Sequence, residues 1–178
     1  MAMSLFSTLS AQDPALPNNP NAQNSPTPRA TATADVKVSH SEKSFFEKAA
    51  KNGMKEVDIS QAVVGRLTNP QVKDLAQAMI TDHTAANTEL MALAARKGVT
   101  LPAETKAEKA GEKWGTKKDK DLDEDYLGEM KEDHEEAVKL FEKATKSDDP
   151  DVAAFAAKTL PTLQHHLEMV KSLKKTVK

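Results

Sequence analysis

Three histidines carry the chemistry that this sequence could perform. His83, His134 and His166 each lie near the middle of a separate amphipathic stretch, on the side where apolar residues recur at helical spacing. Histidine titrates near neutral pH and is the commonest metal ligand in proteins. Several imidazoles that converge inside a helical bundle would form a binding site. The recurrence therefore predicts such a site at the middle of the fold.

Carboxylates near these histidines could complete or orient a metal site. Two antiparallel helices share the level of the turn that joins them, and Glu56 and His83 lie about equally far from the turn at Asn69. Their heights along the bundle therefore differ by about one residue, or about 1.5 Å of helical rise. We therefore predict that Glu56, His83, His134 and His166 bind a transition-metal ion, with Zn, Fe, Mn and Cu as candidates. Other nearby acids are predicted as alternates or as groups that orient the rings: Asp58, Asp82, Asp133 and Glu136.

A metal-free interpretation explains the same histidines as neutral, buried side chains that bond to acids, amides or each other and fix the helix register. The spacing Glu-x-x-His, which is typical of di-iron bundles, is missing. The residues three positions before the histidines of the last three helices are Ile80, Lys131, Thr162 and Leu163. This disfavours ferroxidase and oxygenase chemistry, so we predict no catalytic residue and favour a role other than catalysis.

Four amphipathic segments must position these side chains. Ser39 and Glu42 form a capping-box pattern, and Asn69-Pro70 and Asp149-Pro150 are both helix-start signals. Apolar periodicity then predicts helices over about 39–67, 69–97, 121–146 and 150–176. The sequences after the two proline signals are similar, which indicates a duplicated helical hairpin. Pro161 predicts a kink or a break in the last helix.

The connections between these segments predict the topology. Two turns are short, whereas about 99–120 is a long connection that contains Trp114 and could form one helical turn. This order predicts an all-α, ferritin-like four-helix bundle, in which a crossover joins two hairpins. The crossover is feasible because about 20 extended residues can span a helix of about 40 Å.

Composition limits the class of protein. The chain has 178 residues, a net charge of -2 and no cysteine. Its length suits one domain with a sizeable core. The acids and lysines are interleaved, so no basic surface for nucleic acid is expected, and no stretch is apolar enough to span a membrane. The absence of cysteine excludes disulfides and thiolate ligands.

The amino-terminal part predicts export. Residues 1–12 are mildly apolar and end in small residues, like the remainder of a secretory signal, and residues 13–40 have the composition of a flexible linker. The bundle domain then covers 41–178. We expect a periplasmic or otherwise exported protein, for which peripheral association with the outer membrane and partners in the envelope are both conceivable.

Three motifs recur in a known family: Phe45 to Ala50 leading to Glu56, Met79-x-x-Asp82-His83 followed by Ala86-Asn87, and Leu160-Pro161-x-Leu163 before His165-His166. Together they resemble an uncharacterised bacterial family of ferritin-like domains, the domain-of-unknown-function 4142 family, whose members are often described as predicted outer-membrane or exported proteins. The resemblance covers about 41–173, and the family has glutamate and glycine where this chain has Asp58 and Ser60. It implies a ferritin-like bundle and no established reaction.

Two functions remain open from the sequence. The first is an exported bundle that holds a transition metal for storage, buffering or stress protection. The alternative is a metal-free structural or partner-binding module of the cell envelope.

Overall fold

The structure is a computed structural model that describes residues 38–101 and 108–177. The predicted signal remnant and most of the predicted linker lie outside these residues, so export stays a prediction. The described residues form five helices: α1 His40–Val63, α2 Pro70–Arg96, α3 Glu108–Gly115, α4 Leu122–Ala144 and α5 Pro150–Leu173. His40 is thus the first residue of α1 rather than part of the linker.

The predicted capping residues start three of the long helices. The Ser39 backbone N–H donates to Glu42 Oε2 at 2.8 Å, and the Ser39 hydroxyl accepts from the Glu42 backbone, which completes the capping box. Asn69 and Asp149 each accept backbone N–H groups of the following turn, and a proline occupies the first helical position after each. Local chemistry therefore fixes where the helices begin.

The four long helices form two hairpins that pack side by side. α1 pairs with α2 and α4 pairs with α5, while α2 also contacts α5 and α1 contacts α4. This confirms the predicted all-α four-helix bundle. α5 is continuous through Pro161, so the proline does not end the helix.

The long connection contains a helix of eight residues, α3, which is more structure than the single turn expected there. α3 packs on α1. A Cβ atom at Gly111 would lie 3.2 Å from the Asp58 carbonyl oxygen, so glycine permits this close approach. The Arg66 guanidinium donates to the Trp114 and Gly115 carbonyls, each at 2.9 Å, and so satisfies the carboxyl end of α3.

The core consists of two apolar clusters. The phenylalanine cluster includes Phe45, Phe46, Phe141 and Phe155 with Leu90 and Leu163. The methionine cluster includes Met79 and Met130 with Leu127, Tyr126 and Trp114. In α2 and α4 the methionine cluster comes first along the chain, whereas in α1 and α5 the phenylalanine cluster comes first. α2 and α4 therefore run in the same direction, as the crossover requires.

Among the described helices, none combines the length and the apolar character that a membrane span needs.

Candidate metal centre

A buried polar layer separates the two clusters. Each long helix contributes one side chain to it, at a position between its phenylalanine-cluster and methionine-cluster residues: Glu56, His83, His134 and His166. Their exposed fractions are 1%, 5%, 0% and 1%. Helical periodicity directs all four inward because each continues the apolar stripe of its helix.

The three imidazoles surround a common centre. The ring centroids of His83, His134 and His166 are 5.3, 5.4 and 5.5 Å apart. One ring nitrogen of each histidine lies within 4.8 Å of one ring nitrogen of each other histidine. The Nε2 atoms of His83 and His134 are only 3.4 Å apart. The sequence predicted this convergence from helix register alone.

Each histidine also has a protein oxygen atom close to one of its ring nitrogens. His83 Nδ1 is 3.0 Å from Glu56 Oε2, His134 Nδ1 is 3.0 Å from the Met130 carbonyl oxygen, and His166 Nε2 is 3.0 Å from Asp82 Oδ2. The Nε2 atoms of His83 and His134 contact each other, and His166 Nδ1 is buried without a hydrogen-bond partner among the described residues. Oxygen atoms in such positions fix the orientation of metal-binding imidazoles.

Glu56 contacts two of the rings but is not part of the group of histidine nitrogens that lie within 4.8 Å of one another. Its Oε2 atom approaches the Nδ1 side of His83, and its Oε1 atom is 3.4 Å from His134 Nδ1. Oε1 nevertheless has no hydrogen-bond partner within the described protein, because the Met130 carbonyl takes the His134 N–H in better geometry. Glu56 therefore contacts two of the three rings, and its role as a ligand stays a prediction.

Burial disfavours the charged forms of the side chains in the layer. It is the largest cause that holds the pKa of His83 well below its usual range, with the neighbouring histidines adding to the effect. Burial also lowers the pKa of His134 to about 4 and lowers the pKa of His166, against which Asp82 acts. Burial, with the nearby Asp133, raises the pKa of Glu56 well above that of a free carboxyl group. Neutral imidazoles are the form that binds metals.

The four predicted alternates separate into two pairs. Asp82 reaches His166 on the neighbouring helix, and Asp133 accepts from Lys55 Nζ at 2.8 Å while its charge acts on Glu56. Asp58 instead lies against α3, and Glu136 is exposed on α4. Each of these last two follows a layer residue by two positions, which is about 200° around a helix, so neither joins the layer.

Sequence reasoning missed a second polar contact one turn from the layer. The hydroxyl groups of Ser60 and Tyr126 are 2.8 Å apart and are fully buried in the methionine cluster. Burial raises the pKa of Tyr126, so the phenol stays protonated. Ser60 follows Glu56 by four residues and Tyr126 precedes His134 by eight, and these spacings could have identified the contact.

Comparison with known proteins gives two matches and one negative result. The profile of the family described as "Domain of unknown function (DUF4142)" matches residues 27–173. A crystal structure of a DUF305 fragment from Deinococcus radiodurans is similar, with a TM-score of 0.65 and 14% identity, over 78% of this chain and 97% of the fragment. At that identity the likeness shows the fold alone. Comparison with curated proteins gives no match.

Proposed function

We propose that this chain, which belongs to the family described as Domain of unknown function (DUF4142), binds one transition-metal ion at His83, His134 and His166. Glu56, Asp82 and the Met130 carbonyl hold the three rings in place. The function is to hold the ion for storage or buffering.

One observation carries the proposal. Three buried histidines from three helices each bring one ring nitrogen within 4.8 Å of the other two, while His134 bonds the Met130 carbonyl and His166 bonds Asp82. Two zinc-bound nitrogens at the usual Zn–N distance and a tetrahedral angle are about 3.3 to 3.4 Å apart. The 3.4 Å separation of His83 Nε2 and His134 Nε2 matches this spacing.

The unpartnered atoms of the layer distinguish this proposal from a metal-free network. Without an ion, a protonated Glu56 would donate to Nδ1 of His83, and Nε2–H of His83 would donate to Nε2 of His134. Such a chain leaves His166 Nδ1 buried with no hydrogen-bond partner among the described residues. An unmet buried nitrogen costs about 1 to 3 kcal/mol, whereas an ion at the centre would use its lone pair.

The ligand set supports particular metals and a particular role. Imidazole nitrogens suit Zn²⁺, Cu²⁺ and Fe²⁺ better than Mn²⁺ or Mg²⁺, which prefer oxygen. We therefore expect affinity to decrease in the order Cu²⁺, Zn²⁺, Co²⁺, Mn²⁺. The centre lies inside an apolar bundle without paired carboxylate ligands, and this favours retention of an ion over di-iron oxidation chemistry.

A matched pair of adjacent histidines provides the test. His166 is buried in the layer, whereas His165 is exposed on the same helix. Titration calorimetry of tag-free protein with Zn²⁺ should give one site, and His166→Ala should weaken binding at least 100-fold. His165→Ala should change the affinity less than threefold.

The control separates the proposed centre from adventitious binding. Equal losses in the two variants would place the ion at the surface and contradict the proposal. Failure of the unaltered protein to bind Zn²⁺, Cu²⁺ or Co²⁺ would favour the metal-free structural module. Circular dichroism of both variants verifies that the helices remain folded.

A further inference from the structure

We infer that the ion reaches the histidines through a small cavity on the phenylalanine-cluster side of the layer, past Asn52, Asn87 and Thr159. This inference rests on the proposed function and adds the route by which the site is filled and emptied. The cavity has a volume of about 20 Å³, and Glu56 and His83 form part of its lining. It therefore reaches the edge of the histidine layer at Glu56 and His83.

The polar part of the lining connects the layer with the outside. Asn52, Asn87 and Thr159 come from three different helices, and all three are only half-buried. At the inner end, Glu56 is 1% exposed and its Oε1 atom has no hydrogen-bond partner in the described protein. Amide, hydroxyl and carboxylate oxygens can replace the water molecules that an ion loses as it moves inward.

The size of the cavity suits a cation that has lost most of its water. A volume of this size holds about one water-sized molecule, so a fully hydrated ion does not fit. The remaining walls are apolar and include Leu90, Phe141 and Leu163. The polar side chains are therefore the part of the wall at which a cation is stabilised.

Gly53 is part of the same opening. A Cβ atom at Gly53 would lie 2.1 Å from Asn87 Oδ1, so the amide of Asn87 lies directly on the backbone of α1. Asn87 follows His83 by one helical turn, and Gly53 precedes Glu56 by nearly one turn. The contact sets the position of the amide at the mouth of the cavity.

Co²⁺ is the probe for the test, because its visible absorption changes when it enters a tetrahedral nitrogen site. Ala86→Phe places a bulky ring in the half-buried lining, and Thr88→Phe places the same ring at an exposed position nearby. In stopped-flow measurements, Ala86→Phe should slow both association and dissociation at least tenfold and leave Kd within twofold. Thr88→Phe should leave both rates unchanged.

A second pair of variants tests the route without filling the cavity. Asn87→Asp should accelerate Co²⁺ association severalfold and Asn87→Lys should slow it, because charge at the mouth attracts or repels the cation. The difference should shrink in 0.5 M salt. The same substitutions at Thr88 should have a smaller effect.

The outcomes separate this inference from the proposed function. Binding of Co²⁺ with unchanged rates in Ala86→Phe and no opposite response at Asn87 would overturn the route and direct attention to the edge at Asp82. If the substitutions at Ala86 and Asn87 changed only the dissociation rate, and thereby Kd, these residues would belong to the binding site and not to the route that leads to it. Absence of Co²⁺ binding by the unaltered protein would overturn the proposed function and the route together.

Discussion

The two apolar clusters on either side of the histidine layer differ in how they are closed. The methionine cluster is covered by α3, whose Trp114 is 5% exposed and packs edge-on against Tyr126. The phenylalanine cluster borders a cavity with half-buried polar residues. Both are built by the same four helices. The crossover helix therefore covers the methionine-cluster side of the histidine layer, whereas a cavity borders the phenylalanine-cluster side.

The same contrast appears in how polar groups are satisfied. On the methionine-cluster side, the hydroxyls of Ser60 and Tyr126 bond to each other. On the side of the cavity, Glu56 Oε1 has no partner within the described protein. A polar atom without a partner beside a cavity is the arrangement expected where a solute enters, whereas a closed pair is expected in a static core.

The largest expected effect on stability is a comparison of leucines in the two clusters. Leu127 is fully buried in the methionine cluster, and Leu163 lines the cavity. Leu127→Ala should lower the free energy of unfolding by about 4 kcal/mol and Leu163→Ala by about 2 to 3, because the second site has fewer packing contacts to lose. Urea unfolding of the metal-free proteins measures both. Equal losses, or the reverse order, would remove the contrast between the clusters.

The next effect is an acid-dependent loss of stability that arises in the layer itself. The pKa of His134 is about 4 in the folded chain and near 6.5 when unfolded. Because the folded value is depressed, its contribution is complete above about pH 6.5 and is lost as the pH falls toward 4. The linked change is about 3 kcal/mol. Urea unfolding of the metal-free protein between pH 7 and pH 4 measures this loss.

Glu56 has the opposite effect on the pH dependence of stability, so its titration must be removed before the effect of His134 can be measured. Its raised pKa gives a contribution that is lost as the pH rises, so it offsets part of the effect of His134. We therefore expect the free energy of unfolding of Glu56→Gln to decrease more steeply between pH 6.5 and 4 than that of the unaltered protein. The double variant Glu56→Gln with His134→Gln should show a shallower decrease than Glu56→Gln alone. Identical slopes in the two proteins would mean that His134 is not held neutral by burial.

The smallest effect tests the closed pair on the methionine-cluster side. Tyr126→Phe should lower the free energy of unfolding by about 1 kcal/mol, and Ser60→Ala by about 1 to 2, because the second change leaves the phenol unpaired. The double variant should be less destabilised than the sum. Strict additivity in a double-mutant cycle would show that the two hydroxyls do not interact.

Sequence patterns predicted where the helices begin and at which height each layer residue lies, because local residues determine both. Capping at Ser39, Asn69 and Asp149 fixes the helix starts, and the turn at Asn69 fixes the height of His83 relative to Glu56. The number of residues between a helix start and a side chain then determines its level. Three histidines could therefore be assigned to one layer without coordinates.

The details of the layer depend on helix rotation and side-chain rotamers, which spacing does not specify. Asp82 and Asp133 each precede a layer histidine, yet Asp82 bonds His166 on another helix and Asp133 bonds Lys55. Glu56, which was predicted as a ligand, lies 3.0 Å from Nδ1 of His83, a contact that depends on the ring orientation of that histidine. The close contact of Asn87 with Gly53 likewise depends on the distance between two helix axes.

X-ray absorption spectroscopy of the protein loaded with one equivalent of Zn²⁺ tests the central claim most directly. Our account predicts three imidazole ligands at about 2.0 to 2.1 Å. In His134→Ala, the multiple-scattering features should correspond to one imidazole ligand fewer, or they should be absent because the ion no longer binds. A spectrum dominated by oxygen ligands, or one that is unchanged in His134→Ala, would contradict a metal centre in the histidine layer.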